Sequence, residues 1–163
     1  MVALFDWIEL HSQGIQAIFV SLSCLIALGV FIFNSISQRR IALVSMLMQR
    51  EGNDQVKVAS QRIRKLYADN NCSLRNFVNE DTDDRKAILM VANHYEFMAV
   101  AIRLGAFDEK TYKSLEYSNV MRNWAVLKDF IEEARTKHSN QTWFQDFEKL
   151  ATKWKNAPLK AIR

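Results

Sequence analysis

The hydrophobic pattern of the chain begins with one long apolar run near the N-terminus, from Ile15 to Ile36. At 1.5 Å per residue these 22 residues form a helix roughly 33 Å long, which matches a bilayer core of about 30 Å. A cleavable signal peptide fits less well, because the segment before the run is acidic and the run is too long. A buried helix of a soluble protein is usually well short of this length. The pattern therefore predicts a transmembrane helix over residues 15–38.

Beyond residue 38 the apolar positions recur at intervals of three and four residues, which is the spacing of amphipathic helices. The segment 83–104 is apolar on nearly every side, as is typical of a helix buried at the centre of a bundle. The other stripes predict a continuation of the first helix and four further helices: residues 39–50, 54–69, 109–117, 118–137 and 140–157. Asp108 is expected to cap the helix 109–117, and Ser118 or Asn119 to start the helix 118–137. Asn140 is expected to start the helix 140–157.

The fold class follows from these elements and from the composition. The pattern has no alternation typical of β-strands, and the chain has one Pro and four Gly. We predict an all-α protein with one N-terminal transmembrane helix followed by a small cytoplasmic helical bundle. Its predicted segments are a short extracytoplasmic tail (1–14), the transmembrane helix (15–38), juxtamembrane helices (39–70) and a cytoplasmic α-helical domain (71–163).

The placement of charge predicts the orientation in the membrane. All 22 Lys and Arg residues follow residue 38, and 16 of the 18 acids accompany them, so that part of the chain carries +6. Arg39 and Arg40 mark the membrane boundary, and the positive-inside rule places the N-terminus outside and residues 39–163 in the cytoplasm. Trp7 is expected at the outer interface, where its amphipathic ring is stable. Membrane lipid is therefore the first predicted partner.

The sequence contains no motif for catalysis, cofactor binding or metal binding. The three histidines are scattered, no Cys/His pair has zinc spacing, and there is no Gly-rich phosphate loop. The basic residues are interleaved with acids and form no stripe, which argues against nucleic-acid binding. We therefore predict a protein that is not an enzyme, with no cofactor and no identified small-molecule substrate.

The most polar patch of the central helix surrounds Glu96, whose carboxylate needs a cation or hydrogen bonds in an apolar setting. Arg103 lies seven residues further on the same face, Asn93 is a near neighbour, and Arg122 can approach from another helix. Two interpretations remain open: a polar pocket for a ligand or partner built on Asn93, Glu96, Arg103 and Arg122, and a structural ion pair that fixes the helix register.

Three stretches carry a family resemblance: the Arg pair followed by IALVSMLMQ, the segment NHYEFMAVAIRLGAFDEKTY, and VMRNWAVLKDFIEEAR. Their order resembles a bacterial membrane-anchored family known only as domain of unknown function 4760, over about residues 15–155. The resemblance implies an N-terminal membrane helix, an α-helical cytoplasmic domain and a bacterial inner membrane. It implies no activity, no cofactor and no catalytic residues.

A membrane anchor joined to a bundle without chemical motifs predicts a protein-interaction or self-assembly module, whose partner is another protein or a second copy. The alternative is a small effector of a stress or phage response that perturbs the bilayer on oligomerising. The pairs Ala17–Ser21 and Ser23–Ala27 have the small-xxx-small spacing that permits close approach of membrane helices. A third hypothesis, an enzyme with a site around Glu96, has no motif to support it.

Overall fold

The computed structural model describes residues 12–51, 55–69, 73–79 and 81–160. Its contacts divide the chain into two compact units, Met1–Gln38 and Arg39–Arg163, and the division falls inside the first helix. Trp7, which the sequence places at the outer membrane interface, lies outside the described residues, and its placement stays a prediction.

The described part of the first unit belongs to one long helix, α1, which runs without interruption from Ser12 to Glu51. The stretch Gln16–Leu47 is long and apolar enough to cross a membrane, and its most apolar window contains no buried residue. Phe31 and Phe33, for example, are 72% and 73% exposed. Apolar side chains in such numbers are unfavourable in water. The prediction of an N-terminal helix suited to a membrane is therefore confirmed in length and composition.

The second unit is a bundle of helices. Besides the end of α1 it contains α2 (Gln55–Asp69), a 3₁₀ turn (Arg75–Asn79), α3 (Asp83–Arg103), α4 (Glu109–Lys137) and α5 (Gln145–Asn156). The described residues include no β-strand, and the all-α prediction is confirmed. Thr82 caps α3 by accepting a hydrogen bond from the backbone N–H of Arg85 at 3.3 Å.

Helix α3 occupies the centre of this bundle, because it packs against α2, α4, α5 and the 3₁₀ turn. Leu43, near the end of α1, is fully buried in the same core, so the end of α1 belongs to this second unit. The largest fully buried side chains of the core are Trp154, Tyr95, Tyr112, Phe130 and Phe147. Burial of such rings is the dominant favourable term in folding a bundle of this size.

Helix α4 differs from the prediction of two helices that meet at Ser118 or Asn119. It is continuous over 29 residues, and the predicted break is wrong. No Gly or Pro interrupts the segment. The side-chain amide of Asn119 donates to Glu116 at 3.1 Å, and its backbone carbonyl accepts from the Asn123 side chain at 2.8 Å. A residue favoured at caps therefore serves as a side-chain link inside this helix.

The start of the last helix also differs. Asn140 was expected to begin it, but α5 begins at Gln145. The side-chain oxygen of Asn140 instead accepts hydrogen bonds from the backbone N–H and the hydroxyl of Thr142, at 3.0 and 2.7 Å. This side chain stabilises a turn, which is the other common role of Asn.

Candidate functional site at the start of the last helix

The first turn of α5 lacks a cap of its own. Phe144 occupies the N-cap position with φ 53°, and its side chain provides no capping hydrogen bond. A bulky residue with positive φ is strained, and here the ring is buried in the core. The N–H groups at a helix start have no acceptor within the helix, so they need one from elsewhere.

Glu96 of α3 supplies the missing acceptor. Its Oε2 accepts from the backbone N–H of Phe147 at 2.8 Å, and its Oε1 accepts from the backbone N–H of Asp146 at 3.3 Å. A carboxylate is favourable at a helix N-terminus, because the unpaired N–H groups carry partial positive charge. The half-buried Glu96 is thus a cap contributed by a different helix, 50 residues earlier in the chain.

A second carboxylate, that of Asp146, lies at the same helix start and is almost fully buried. The Nε of Arg103 donates to its Oδ1 at 2.9 Å. The Arg103 side chain is itself 55% exposed, so the positive charge remains in contact with water while the negative charge is buried. This ion pair connects the last turn of α3 to the first turn of α5.

Arg135 of α4 completes the connection from the other side. Its Nε donates to the backbone carbonyl of Trp143 at 2.8 Å, and its Nη1 donates to Glu148 at 2.7 Å. The Arg135 side chain is only 11% exposed. Buried charges of this kind are favourable only when they are paired and hydrogen-bonded. The first turn of α5 is therefore held by α3 and α4 together.

The four residues singled out from the sequence have different positions. Glu96 and Arg103 both reach the start of α5, where they meet through Asp146: among the described residues Arg103 pairs with Asp146, and Glu96 accepts from backbone N–H groups. Asn93 and Arg122 are exposed, and the contacts of the described residues do not join them to this cluster. The geometry favours structural interactions over a four-residue pocket.

Sequence reasoning did not identify Asp146 and Arg135. The acidic pair Asp146 and Glu148 near a helix start was the one local signal, since acids concentrate in first turns. Arg135 had no local signal at all. The described residues contain no group of three or more His, Cys, Asp or Glu side chains arranged to hold a metal ion. The cluster joins helices and offers no set of metal ligands.

A different polar arrangement begins α4. Asp108 caps this helix as predicted, because its Oδ1 accepts from the backbone N–H of Thr111 at 2.9 Å. The hydroxyl and the backbone N–H of Thr111 hold the pKa of Asp108 below its usual value. Burial raises the pKa of the neighbouring Glu109, but hydrogen bonds from Lys153 (2.7 Å) and the Trp154 indole (3.1 Å) outweigh burial and lower it.

The outward side of α3 carries apolar residues that nothing in the described chain covers. Met90 is 40% exposed and Phe97 is 57% exposed, although the pattern predicts a helix buried all round. The two lie seven residues apart, so they share one face, with the exposed Asn93 between them. We call these three residues the α3 outer stripe.

The model of one protein family, described as "Domain of unknown function (DUF4760)", matches residues 17–154. No curated protein and no solved structure matches the chain. Since the match covers most of the chain, the protein belongs to this family, and the resemblance that the sequence motifs indicate is confirmed.

Proposed function

We propose that this member of the DUF4760 family is a single-pass protein of the bacterial inner membrane whose helical unit associates with a second copy of itself. The apolar helix Gln16–Leu47 supports the anchor. The Arg pair at positions 39 and 40, with basic residues after it and none before, supports an outer N-terminus and a cytoplasmic helical unit. The proposal assigns the chain no catalytic activity and no cofactor.

The observation that carries the proposal is the α3 outer stripe. The opposite face of α3 fills the core, with Ile88, Val91 and Met98 fully buried. Phe97 and Met90 are exposed on the remaining face, at the seven-residue interval that lets two helices pack side by side. Large aromatic and Met side chains are enriched at protein interfaces, whereas charged residues are depleted at the interface core.

A second copy is the partner that this stripe fits best. Met90 and Phe97 of one copy can pack against the same two side chains of a second copy, so the same face serves both partners in a two-fold contact. Asn93 lies between these two residues on the same face, and one polar residue in such a contact fixes the register of paired helices. Anchoring in one membrane also confines the copies to two dimensions and raises their effective concentration.

Cross-linking in intact membranes tests this association. In a background with Cys24→Ser and Cys72→Ser, the full chain carries a single cysteine from Phe97→Cys, and a short bis-maleimide is added. We expect a covalent dimer. The matched control is Leu115→Cys on α4, whose parent side chain is equally exposed at 56%. Equal dimer yields at the two positions, or no dimer at Phe97→Cys, would refute the proposed contact.

Labelling from one side of the membrane tests the orientation. A membrane-impermeant maleimide should modify the Leu115→Cys protein in inside-out vesicles and leave it unmodified in intact spheroplasts. Modification in spheroplasts would place the helical unit outside and contradict the positive-inside prediction.

One observation favours a second candidate, an effector that perturbs the bilayer on oligomerising. The Ser23 hydroxyl donates to the backbone carbonyl of Phe19 at 2.8 Å, so it is satisfied within α1 and leaves a small, apolar-like surface. Small surfaces of this kind allow membrane helices to approach closely. Expression with a membrane-potential dye separates the candidates, because an unchanged potential with confirmed insertion excludes the effector.

A further inference from the structure

The turn that joins α3 to α4 lies beside Arg39, the first charged residue after the apolar run of α1. Gly105 adopts φ +72°, and a Cβ atom at this position would lie 3.3 Å from Nη1 of Arg39. Glycine is therefore suited to both features of the site, the positive φ and the close guanidinium. The backbone N–H groups of Gly105 and Ala106 donate back to the carbonyls of Ile102 and Ala101, at 3.0 and 2.9 Å, which fixes the turn onto the end of α3.

A second contact joins the same turn to the next residue of α1. The Nε of Arg40 lies 3.7 Å from Oδ1 of Asp108, in a pair whose side chains are 56% and 23% exposed. Two successive arginines thus contact two ends of one short segment. We call residues 104–108 the α3–α4 corner.

The corner also presents the most exposed large apolar side chain of the described residues 39–160. Leu104 is 69% exposed, more than Phe97 on the α3 outer stripe, and Ala106 beside it is exposed as well. A lone exposed leucine is common on protein surfaces. This one differs because its neighbours in the chain contact Arg39 and Arg40, the first charged residues after the membrane helix.

We propose that the α3–α4 corner is a membrane-surface contact, in which Leu104 enters the lipid interface beside Arg39 and Arg40. This inference rests on the proposed membrane anchor. Arginines at the end of a membrane helix keep their guanidinium groups at the level of the lipid headgroups. Side chains in contact with those groups lie at the same level, where a leucine gains by leaving water for the acyl boundary.

The charges of the corner are compatible with an anionic bilayer. Asp108 would be repelled by anionic headgroups on its own, but Arg40 neutralises it, and its carboxylate caps α4. Arg39 lies beside a glycine and pairs with no acid among the described residues, so its charge stays available for a lipid phosphate. A lipid, with its phosphate beside Arg39 and its acyl chain beside Leu104, is therefore the partner that fits this corner.

Spin-label depth measurements test the proposal on the full chain in nanodiscs of phosphatidylcholine and phosphatidylglycerol. A nitroxide is attached at Leu104→Cys in the Cys24→Ser, Cys72→Ser background. The matched control is Val58→Cys on α2. Val58 is 58% exposed and lies one turn from Arg62, which pairs with Asp84 at the opposite end of α3 from the corner. Collisions with oxygen, which concentrates in lipid, are compared with those of a water-soluble nickel complex.

We expect the label at Leu104→Cys to favour oxygen over nickel at least threefold more than the label at Val58→Cys. Equal ratios in a protein that resists carbonate extraction would overturn the corner contact and leave the anchor intact. A chain that carbonate extracts would overturn both. Dipolar broadening at Leu104→Cys together with an oxygen preference no higher than that at Val58→Cys would show that a second copy covers the corner in place of lipid, which also refutes the contact. Should Leu104→Cys disturb the fold by circular dichroism, Ala106→Cys carries the same expectations.

Discussion

Helices α4 and α5 begin in opposite ways within the same bundle. Helix α4 starts at Asp108, whose own side chain accepts from the backbone N–H of Thr111 three residues on. Helix α5 starts at Phe144, which has a left-handed backbone and no side-chain cap, and its acceptor comes from Glu96 on α3. One helix start is local, and the other depends on a neighbouring helix.

The difference separates two sources of helix stability. A local cap stabilises its helix whether or not the rest of the molecule is folded, and it contributes typically about 1 kcal/mol. A cap from another helix exists only after docking, so it couples the first turn of α5 to the position of α3. The same contact therefore serves as both a cap and a tertiary interaction.

The largest expected effect comes from Phe147→Ala, which keeps the N–H that Glu96 binds and removes the packing around it. The Phe147 ring is fully buried, stacked on Tyr95 at 5.1 Å and edge-on to Trp124 at 5.1 Å. We expect a loss of about 3–5 kcal/mol in the free energy of unfolding. Urea denaturation of the full chain in detergent, followed by circular dichroism, measures it. The control is Leu115→Ala, at an exposed leucine of α4, with a change below about 0.5 kcal/mol. Similar losses for both would contradict this picture of the core.

Removal of the remote cap has the next largest effect. Glu96→Ala leaves two backbone N–H groups at the start of α5 without an acceptor, and we expect a loss of about 1.5–3 kcal/mol. Glu96→Gln keeps one side-chain oxygen and should lose less. The same urea titrations compare both with Glu132→Ala, at an exposed position of α4. A change no larger than that of the control would mean that water replaces the cap.

The local cap is expected to contribute less. Asp108→Ala removes the acceptor of the Thr111 N–H and should cost about 1 kcal/mol. Asp108→Ser retains a capping oxygen but loses the ion pair with Arg40, which is exposed and contributes little. Urea midpoints for the serine variant should therefore stay close to those of the unchanged protein. If serine fails to restore stability, the ion pair is the stronger interaction.

The smallest expected effect is a pH dependence at the start of α4. The pKa values of Asp108 and Glu109 are lower in the folded protein than their usual values of 3.8 and 4.5. Their contribution to stability is therefore complete above those usual values, and it is lost as the pH falls through the lower folded values. Urea midpoints measured from pH 7 to pH 3 should decline less steeply for Glu109→Gln than for the unchanged protein. Parallel declines would contradict the lowered pKa of Glu109.

The part of the structure that could be predicted from the sequence is the part that depends on residues adjacent in the chain. The cap at Asp108 and the continuous helix through Arg39 and Arg40 follow from adjacent residues, and both are found. The merging of two predicted helices at Ser118 reflects tertiary packing and side-chain links that outweigh local cap preferences.

The interactions at the start of α5 could not be predicted from adjacent residues. The acceptor Glu96 was singled out because a carboxylate in an apolar helix needs partners, but those partners are backbone N–H groups 50 and 51 residues away. The partner of Arg103 is 43 residues away. Sequence spacing contains no information about which distant segments meet, so these contacts required the folded structure.

The remote cap has a consequence for the order in which the bundle forms during synthesis. Helix α5 has 12 residues, a length at which an isolated helix is only marginally stable in water. Its cap resides on α3, which leaves the ribosome earlier, whereas α4 has 29 residues and a cap of its own. We therefore expect α5 to fold on a template of α3 and α4, and a chain that lacks α5 to expose the faces of Tyr95 and Trp124 that Phe147 covers.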